Sequence, residues 1–264
     1  MTLHTLSSGS EGNCLLVCDG STRLLVDAGI SVRRIKTSLA ALDLRMDDIS
    51  AILLTHEHTD HVCALATLIK HYETPLYASR GTAAQLRYRL AGVERQLHAV
   101  ETDEVLTFGS CRVTVFPTSH DARQSVDFRL DSGSGSIGIL TDTGYVTGEA
   151  AEALQGVELL VLESNHDIDW LRAGPYPYYL KERILGPQGH LSNGDAARFA
   201  VEMVQRGTKE IVLAHLSREN NTPERALETV QRALAASGLT AQVTVAPRKE
   251  LSQCYELEGS TCRR

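Results

Sequence analysis

The chain has 264 residues, a formal net charge of −7 and ordinary fractions of apolar, charged and aromatic residues. Such a length buries a large core, and the composition excludes collagen-like, low-complexity and disulfide-scaffold chains. No apolar run approaches the roughly 20 residues that span a bilayer, and Met1 is not followed by a basic segment and then an apolar one, so a cytoplasmic protein without membrane contact is expected. Cys14, Cys18, Cys63, Cys111, Cys254 and Cys262 are scattered without a C-x-x-C pair and read as reduced thiols. The negative charge argues against indiscriminate polyanion binding. A nucleic-acid enzyme, however, needs only a local basic surface, and metals supply positive charge themselves.

In chain order, the pattern predicts a hairpin from Leu15–Cys18 and Leu24–Asp27, turned at Asp19-Gly20, then a helix from Ser31 with Val32, Ile35, Leu39 and Leu42 on one face. Strand Ala51–Thr55, helix Asp60–Tyr72, strand Leu76–Ser79 and helix Thr82–Leu90 follow. A meander of Arg112–Thr118, Val126–Leu130 and Ile137–Thr141 comes next, with Asp131–Gly135 as a Gly/Ser turn. The second half alternates helix Gly148–Gln155, strand Glu158–Leu162, helix Gly194–Gln205, strand Glu210–Ala214, helix Pro223–Ala236 and strand Gln242–Val245. No long linker divides residues 1–264, so one domain is expected: two sheets face to face with helices outside, a layered α/β arrangement.

The chemistry concentrates in Leu53-Leu54-Thr55-His56-Glu57-His58-Thr59-Asp60-His61, which sets three imidazoles and two carboxylates on the turn between a buried strand and a helix. Imidazole nitrogen with carboxylate oxygen suits zinc, manganese or iron, and the lack of paired thiolates argues against a closed structural zinc site. The zincin motif is excluded because the fourth residue after His56 is Asp60.

This H-x-H-x-D-H segment resembles the signature of the metallo-β-lactamase superfamily, with Ala64 where a glycine is usual. The resemblance implies a four-layer αββα sandwich holding two divalent metal ions, Zn²⁺ or Mn²⁺. It extends to Leu25-Val26-Asp27-Ala28-Gly29, implying that Asp27 supports a ligating histidine from beneath, although a plain strand-end cap is the alternative. It also extends to Pro117-Thr118-Ser119-His120-Asp121, to Gly138-Ile139-Leu140-Thr141-Asp142-Thr143-Gly144 and to Ile211-Val212-Leu213-Ala214-His215. By resemblance His56, His58 and His120 hold one metal, Asp60, His61 and His215 the other, and Asp142 bridges them; Asp60 also orients the activated water.

Fold and metals do not choose a substrate. Gly189-His190-Leu191-Ser192, followed by a helix and then by the His215 strand, resembles the end of RNase Z enzymes, which implies that His190 contacts the scissile phosphate or assists the leaving group. The alternative is a solvated loop histidine. Ser192 or Asn193 caps the next helix, whose start offers N–H groups to an anion. Leu6-Ser7-Ser8-Gly9-Ser10-Glu11-Gly12-Asn13-Cys14, together with the L-T-D-T-G-Y and E-S-N-H-D segments, resembles the YycJ/WalJ group of bacterial exonucleases. The chain leaves no room between Asp142 and His215 for the β-CASP domain of RNase J. Ser8, Ser10 and Asn13 either border the site, with Asn13 touching substrate alongside His190 and Ser192, or simply close a hairpin loop.

His166 stays outside the ligand set, near the metals or in a turn. Trp170–Gln188 mixes Trp170, Tyr176, Tyr178 and Tyr179 with Arg172, Lys181 and Arg183, either to stack bases and meet phosphates or as an ordinary packed loop and helix. The resemblance implies a 5′→3′ exonuclease acting on DNA ahead of RNA. A small-molecule hydrolase (cyclic phosphodiesterase, thioesterase or lactonase) is the competing reading, and a non-catalytic scaffold is disfavoured by the intact ligand set. Oligomeric state is left open.

Overall fold

The computed structural model describes residues 1–257. Its first sheet contains β1 (Thr2–Ser7), β2 (Cys14–Asp19), β3 (Thr22–Val26), β4 (Ala51–Leu54), β5 (Leu76–Ser79) and β6 (Leu97–Val100). The second contains β7 (Val105–Phe108), β8 (Cys111–Pro117), β9 (Val126–Ser132), β10 (Gly135–Leu140), β11 (Leu159–Glu163), β12 (Glu210–Ala214) and β13 (Gln242–Val245). The short β14 (Tyr255–Glu256) returns to pair with β1, giving spatial orders β14-β1-β2-β3-β4-β5-β6 and β13-β12-β11-β10-β9-β8-β7. Each sheet is mixed: β3 to β6 and β10 to β13 run parallel, and the remaining pairs are antiparallel.

Period-two alternation builds three apolar layers from these strands. Leu15, Val17, Leu24, Val26, Ala51 and Leu53 meet Leu159, Val161, Val212 and Ala214 between the sheets. The alternate residues Leu16, Leu25, Ile52 and Leu54 face outward under α1 (Val32–Ala40), α3 (Leu65–His71) and α4 (Arg80–Arg89), which follow the short α2 (Thr59–Val62). On the opposite side Leu160, Leu162, Ile211 and Leu213 lie under α5 (Gly148–Ala153), α8 (Asn193–Gln205) and α9 (Pro223–Ala236); α6 (Ile168–Ala173) and α7 (Tyr178–Leu185) intervene in the chain. Helix, sheet, sheet and helix give the expected αββα order. Strands covered on both faces also explain runs such as Leu159–Leu162, which read as continuously apolar.

Several boundaries differ from the sequence reading. Helix Asp60–Tyr72 is broken between α2 and α3, because the backbone groups at the break are engaged elsewhere. Asn13 N–H donates to the Asp60 carbonyl at 2.8 Å, Ala28 N–H donates to the His61 carbonyl at 2.8 Å, and Ala64 N–H donates to the Ala28 carbonyl at 3.0 Å. The Asp131–Gly135 turn is tighter than expected, since Asp131 pairs with Ser136 and Ser132 with Gly135. Strands β1, β6, β7 and β14 and helix α6 were not anticipated, because their short, polar or exposed patterns carry little periodic signal; α7 supplies the helix of the packed loop-and-helix reading of Trp170–Gln188. Leu42 falls beyond the end of α1 but still packs against the outer layer of the first sheet.

Cys14, Cys63 and Cys111 are free thiols, whereas Cys262 lies outside the described residues. No helix among the described residues is long and apolar enough to cross a membrane.

Candidate metal centre

Five of the seven expected ligand positions, His56, His58, His120, Asp142 and His215, follow the carboxyl ends of β4, β8, β10 and β12, and the other two, Asp60 and His61, sit in α2, all opening at one edge of the sandwich. Asp27 (φ 62°), Asp142 (φ 50°) and His215 (φ 53°) adopt left-handed backbone conformations just past β3, β10 and β12. Asp and His enter that region more readily than most residues, at a cost of order 1 kcal/mol each. Three such turns at one edge aim the following chain away from the sheet and the side chains across the gap.

The side chains converge. His56, His58 and His120 bring ligand atoms within 4.8 Å of one another, as do Asp60, His61 and His215, and also His56, His61 and Asp142. Asp142 reaches both corners: its Oδ2 lies 3.2 Å from His61 Nε2 and its Oδ1 lies 3.7 Å from His120 Nε2.

Hydrogen bonds decide which imidazole nitrogen each histidine offers. The Gly189 carbonyl, an acceptor only, takes the proton of His120 Nδ1 at 3.1 Å. Asp27 takes that of His61 Nδ1 at 2.7 Å. Thr55 donates its hydroxyl to Asp27 Oδ2 and so accepts from His56 Nδ1, both at about 3 Å. Glu163 Oε1 accepts from His215 Nδ1 at 2.9 Å. In their neutral forms all four thus present an Nε2 lone pair to the gap, while His58 turns Nδ1 toward it, 3.0 Å from His56 Nε2 and 3.3 Å from His120 Nε2.

This arrangement suits divalent cations. Three converging imidazole lone pairs repel one another without a positive charge between them, and buried His215 Nε2 and Asp142 Oδ2 have no hydrogen-bond partner. Leaving such an atom unsatisfied costs about 1–3 kcal/mol, and a nitrogen and oxygen donor set of this kind is what zinc or manganese takes.

Electrostatics separate the two corners. Burial, reinforced by neighbouring positive imidazole charge, pulls the pKa of His56 well below the usual value, and burial also lowers that of His120. At His61 burial is again the largest single influence, but Asp27 and Asp142 together outweigh it and hold the pKa well above normal. His215 is likewise opposed by burial yet raised to about 10 by Asp142, Asp60 and Glu163. Burial alone would raise Asp142, but His215 and His61 hold its carboxyl well below the usual range.

His190 joins this assembly. Its Nδ1 lies 2.9 Å from Glu163 Oε1, leaving Nε2 for a group in the cavity that it lines with His58, Asp60, His120, Asp142 and His215. Asn13 and Ser192 do not line that cavity. Asn13 Oδ1 accepts from Gly9 N–H, which turns its Nδ2 to His61 Nε2 at 3.0 Å, and its backbone bridges Asp60 and Gly29. Ser192 is the N-cap of α8, accepting from Asp195 N–H. His166 is buried outside every ligand cluster among the described residues, with neither ring nitrogen hydrogen-bonded.

Three supporting residues escaped the sequence reading. Glu163 is fully buried and bonds both His190 and His215, and its Oε2 accepts from Thr143 N–H and Leu191 N–H, so one carboxylate ties three loops together. Its position after an apolar strand is the same signal that marked Asp27. Glu57, inside the motif, points away from the gap and binds Arg123 N–H and the Thr82 hydroxyl. At Gly29 a Cβ would lie 1.6 Å from the Asp60 carbonyl oxygen, so only glycine lets β3 and α2 approach.

A family profile described as "Beta-lactamase superfamily domain" matches residues 22–216. The chain belongs to that superfamily. Among its relatives, the exodeoxyribonuclease YycJ of Bacillus anthracis is 37% identical over 90% of this chain and 91% of its own. The exodeoxyribonuclease WalJ of Streptococcus pneumoniae (strain D39) is 39% identical over 89% of this chain and 88% of its own. The crystal structure of the metallo-β-lactamase fold protein YhfI from Bacillus subtilis superposes with a TM-score of 0.70 at 17% identity, covering 95% of this chain and 98% of that one, which supports the superfamily fold.

Proposed function

We propose that this chain is a metal-dependent exonuclease that hydrolyses phosphodiesters from a strand end, 5′→3′ and on DNA ahead of RNA. The observation that carries it is His190, anchored through Nδ1 to Glu163 beside the seven clustered ligand candidates; the near full-length relatives named as exodeoxyribonucleases support the substrate class. In this reading residues 1–264 act as one domain in the cytoplasm.

His56, His58 and His120 would hold one ion, Asp60, His61 and His215 the other, with Asp142 between them. Two divalent cations, zinc or manganese, would supply Lewis acidity toward a phosphoryl oxygen and a water acidic enough to attack at neutral pH. Asp60, partly exposed on the cavity, orients that water. His190 turns Nε2 to the substrate, pairs with the phosphate as an imidazolium and gives its proton to the departing oxygen, while Glu163 fixes the ring and stabilises its charge. A carbonyl substrate has no general need for a second proton donor of this kind, and this disfavours a thioesterase or lactonase.

The test is hydrolysis of end-labelled single-stranded DNA and RNA by the metal-loaded protein, beside Asp60→Ala and His190→Ala, with a thioester and a lactam as controls. Stepwise nucleotide release that falls about 10²–10⁴-fold in His190→Ala with metal content unchanged is expected. Turnover of the thioester or lactam alone, indifferent to His190, overturns the reading.

A further inference from the structure

The metal cavity has a second wall that the ligand set does not use. The cavity volume is about 210 Å³, and Tyr176, Leu180, Arg183 and Ile184 line it from around α7. Helix α7 has no buried residue. Arg183 is the one lysine or arginine among the described residues lining this cavity, which otherwise presents Asp60, Asp121 and Asp142.

Asp121 occupies the space between that guanidinium and the histidines. Its Oδ2 lies 2.5 Å from Arg183 Nε. Its Oδ1 is buried without a hydrogen-bond partner, 3.5 Å from His120 Nε2 and 3.8 Å from His58 Nε2. One carboxylate thus spans an arginine fork and the imidazole corner, the position an oxyanion would take to touch both. Carboxylate and phosphate present comparable acceptor pairs to a guanidinium. The Arg183 side chain is 56% exposed, and exposed ion pairs are worth about 0–1 kcal/mol, so exchanging one anion for another is cheap.

We propose that Arg183 contacts a backbone phosphate of the strand being degraded, and that Asp121 is the anion holding its place in the free enzyme. This rests on the phosphodiester reading above. It assigns α7 as the wall that grips the strand, with Tyr176 and Leu180 against its less polar parts. It also explains why the residue after His120 is an aspartate with only one oxygen satisfied.

The experiment uses the metal-loaded full chain and a labelled, nuclease-resistant phosphorothioate single strand, titrated at a series of salt concentrations, beside steady-state hydrolysis of the ordinary strand. Arg183→Gln is expected to weaken binding about tenfold, to raise KM with kcat kept within about twofold, and to flatten the logarithmic salt dependence by about 0.7, one phosphate contact on a single strand. Arg183→Lys restores the salt slope but not the full affinity. Asp121→Asn tightens strand binding severalfold.

A strand degraded and bound by Arg183→Gln as by the unmodified protein, with the same salt slope, overturns this inference alone. So does a loss confined to kcat and accompanied by lost metal, which would make Arg183 a mere support of the metal corner. Weaker binding by Asp121→Asn removes the place-holder role. If the unmodified protein neither binds nor degrades any strand, the phosphodiester reading falls and this one with it.

Discussion

The two corners of the metal centre are built from the same side chains and solve opposite problems. The corner of His56, His58 and His120 is histidine-only, and burial keeps His56 and His120 below their usual pKa, so those rings are neutral and ready to ligate at physiological pH. The corner of Asp60, His61 and His215 is backed by Asp27 and Glu163, and in the metal-free chain its histidines are held above their usual pKa by Asp142 together with Asp27, Asp60 and Glu163. A cation entering the second corner displaces protons that the first does not carry. The difference shows that the carboxylates beneath the histidines hold two states: they order the rings and make them stronger donors with metal, and they replace its charge with protons without it.

Asp142→Ala should break the comparison most severely, because this carboxylate touches both corners. Activity should fall by roughly 10³-fold or more, and metal analysis should show both ions lost, whereas His58→Ala loses the ion of its own corner first. Gly29→Ala attacks only the scaffold of the second corner. A Cβ there would overlap the Asp60 carbonyl, so a stability loss of about 3 kcal/mol or more is expected in denaturant unfolding.

Glu163→Gln sharpens the contrast: it removes the charge behind His215 and His190 while keeping the shape. A loss of about 10–100-fold in activity or in affinity for the second ion, with the first retained, is the expected result.

His166 supplies the control, a buried histidine outside both corners. Burial lowers its pKa to about 4, so the unfolded chain binds a proton near 6.5 that the folded chain refuses. Its contribution is complete above pH 6.5 and is lost as pH falls toward 4, which amounts to about 2 kcal/mol by pH 5. His166→Gln should remove that part of the acid destabilisation, measured as the difference in unfolding free energy between pH 7.5 and 5.

Where the residues that make a feature lie close in the chain, the sequence alone revealed it. Apolar runs alternating with amphipathic segments defined the layers, since covering both faces of a strand demands apolar side chains throughout. The motif from His56 to His61 announced metal chemistry by density alone, and the later strand-end residues became readable through a family pattern. Glu163 carried the same strand-end signal as Asp27, but its role depends on loops brought from Thr143, His190 and His215, a meeting no local pattern encodes.

The break between α2 and α3 likewise follows from hydrogen bonds to Asn13 and Ala28, which intrinsic helix preference cannot anticipate. The pairing of Arg183 with Asp121 joins residues 62 positions apart, and it was chain folding that turned an ambiguous aromatic and basic segment into one wall of the cavity. Local periodicity determined the elements because burial acts residue by residue. Tertiary structure decided the chemistry of the site because tautomers, proton affinities and cavity walls depend on which distant groups share the same few ångströms.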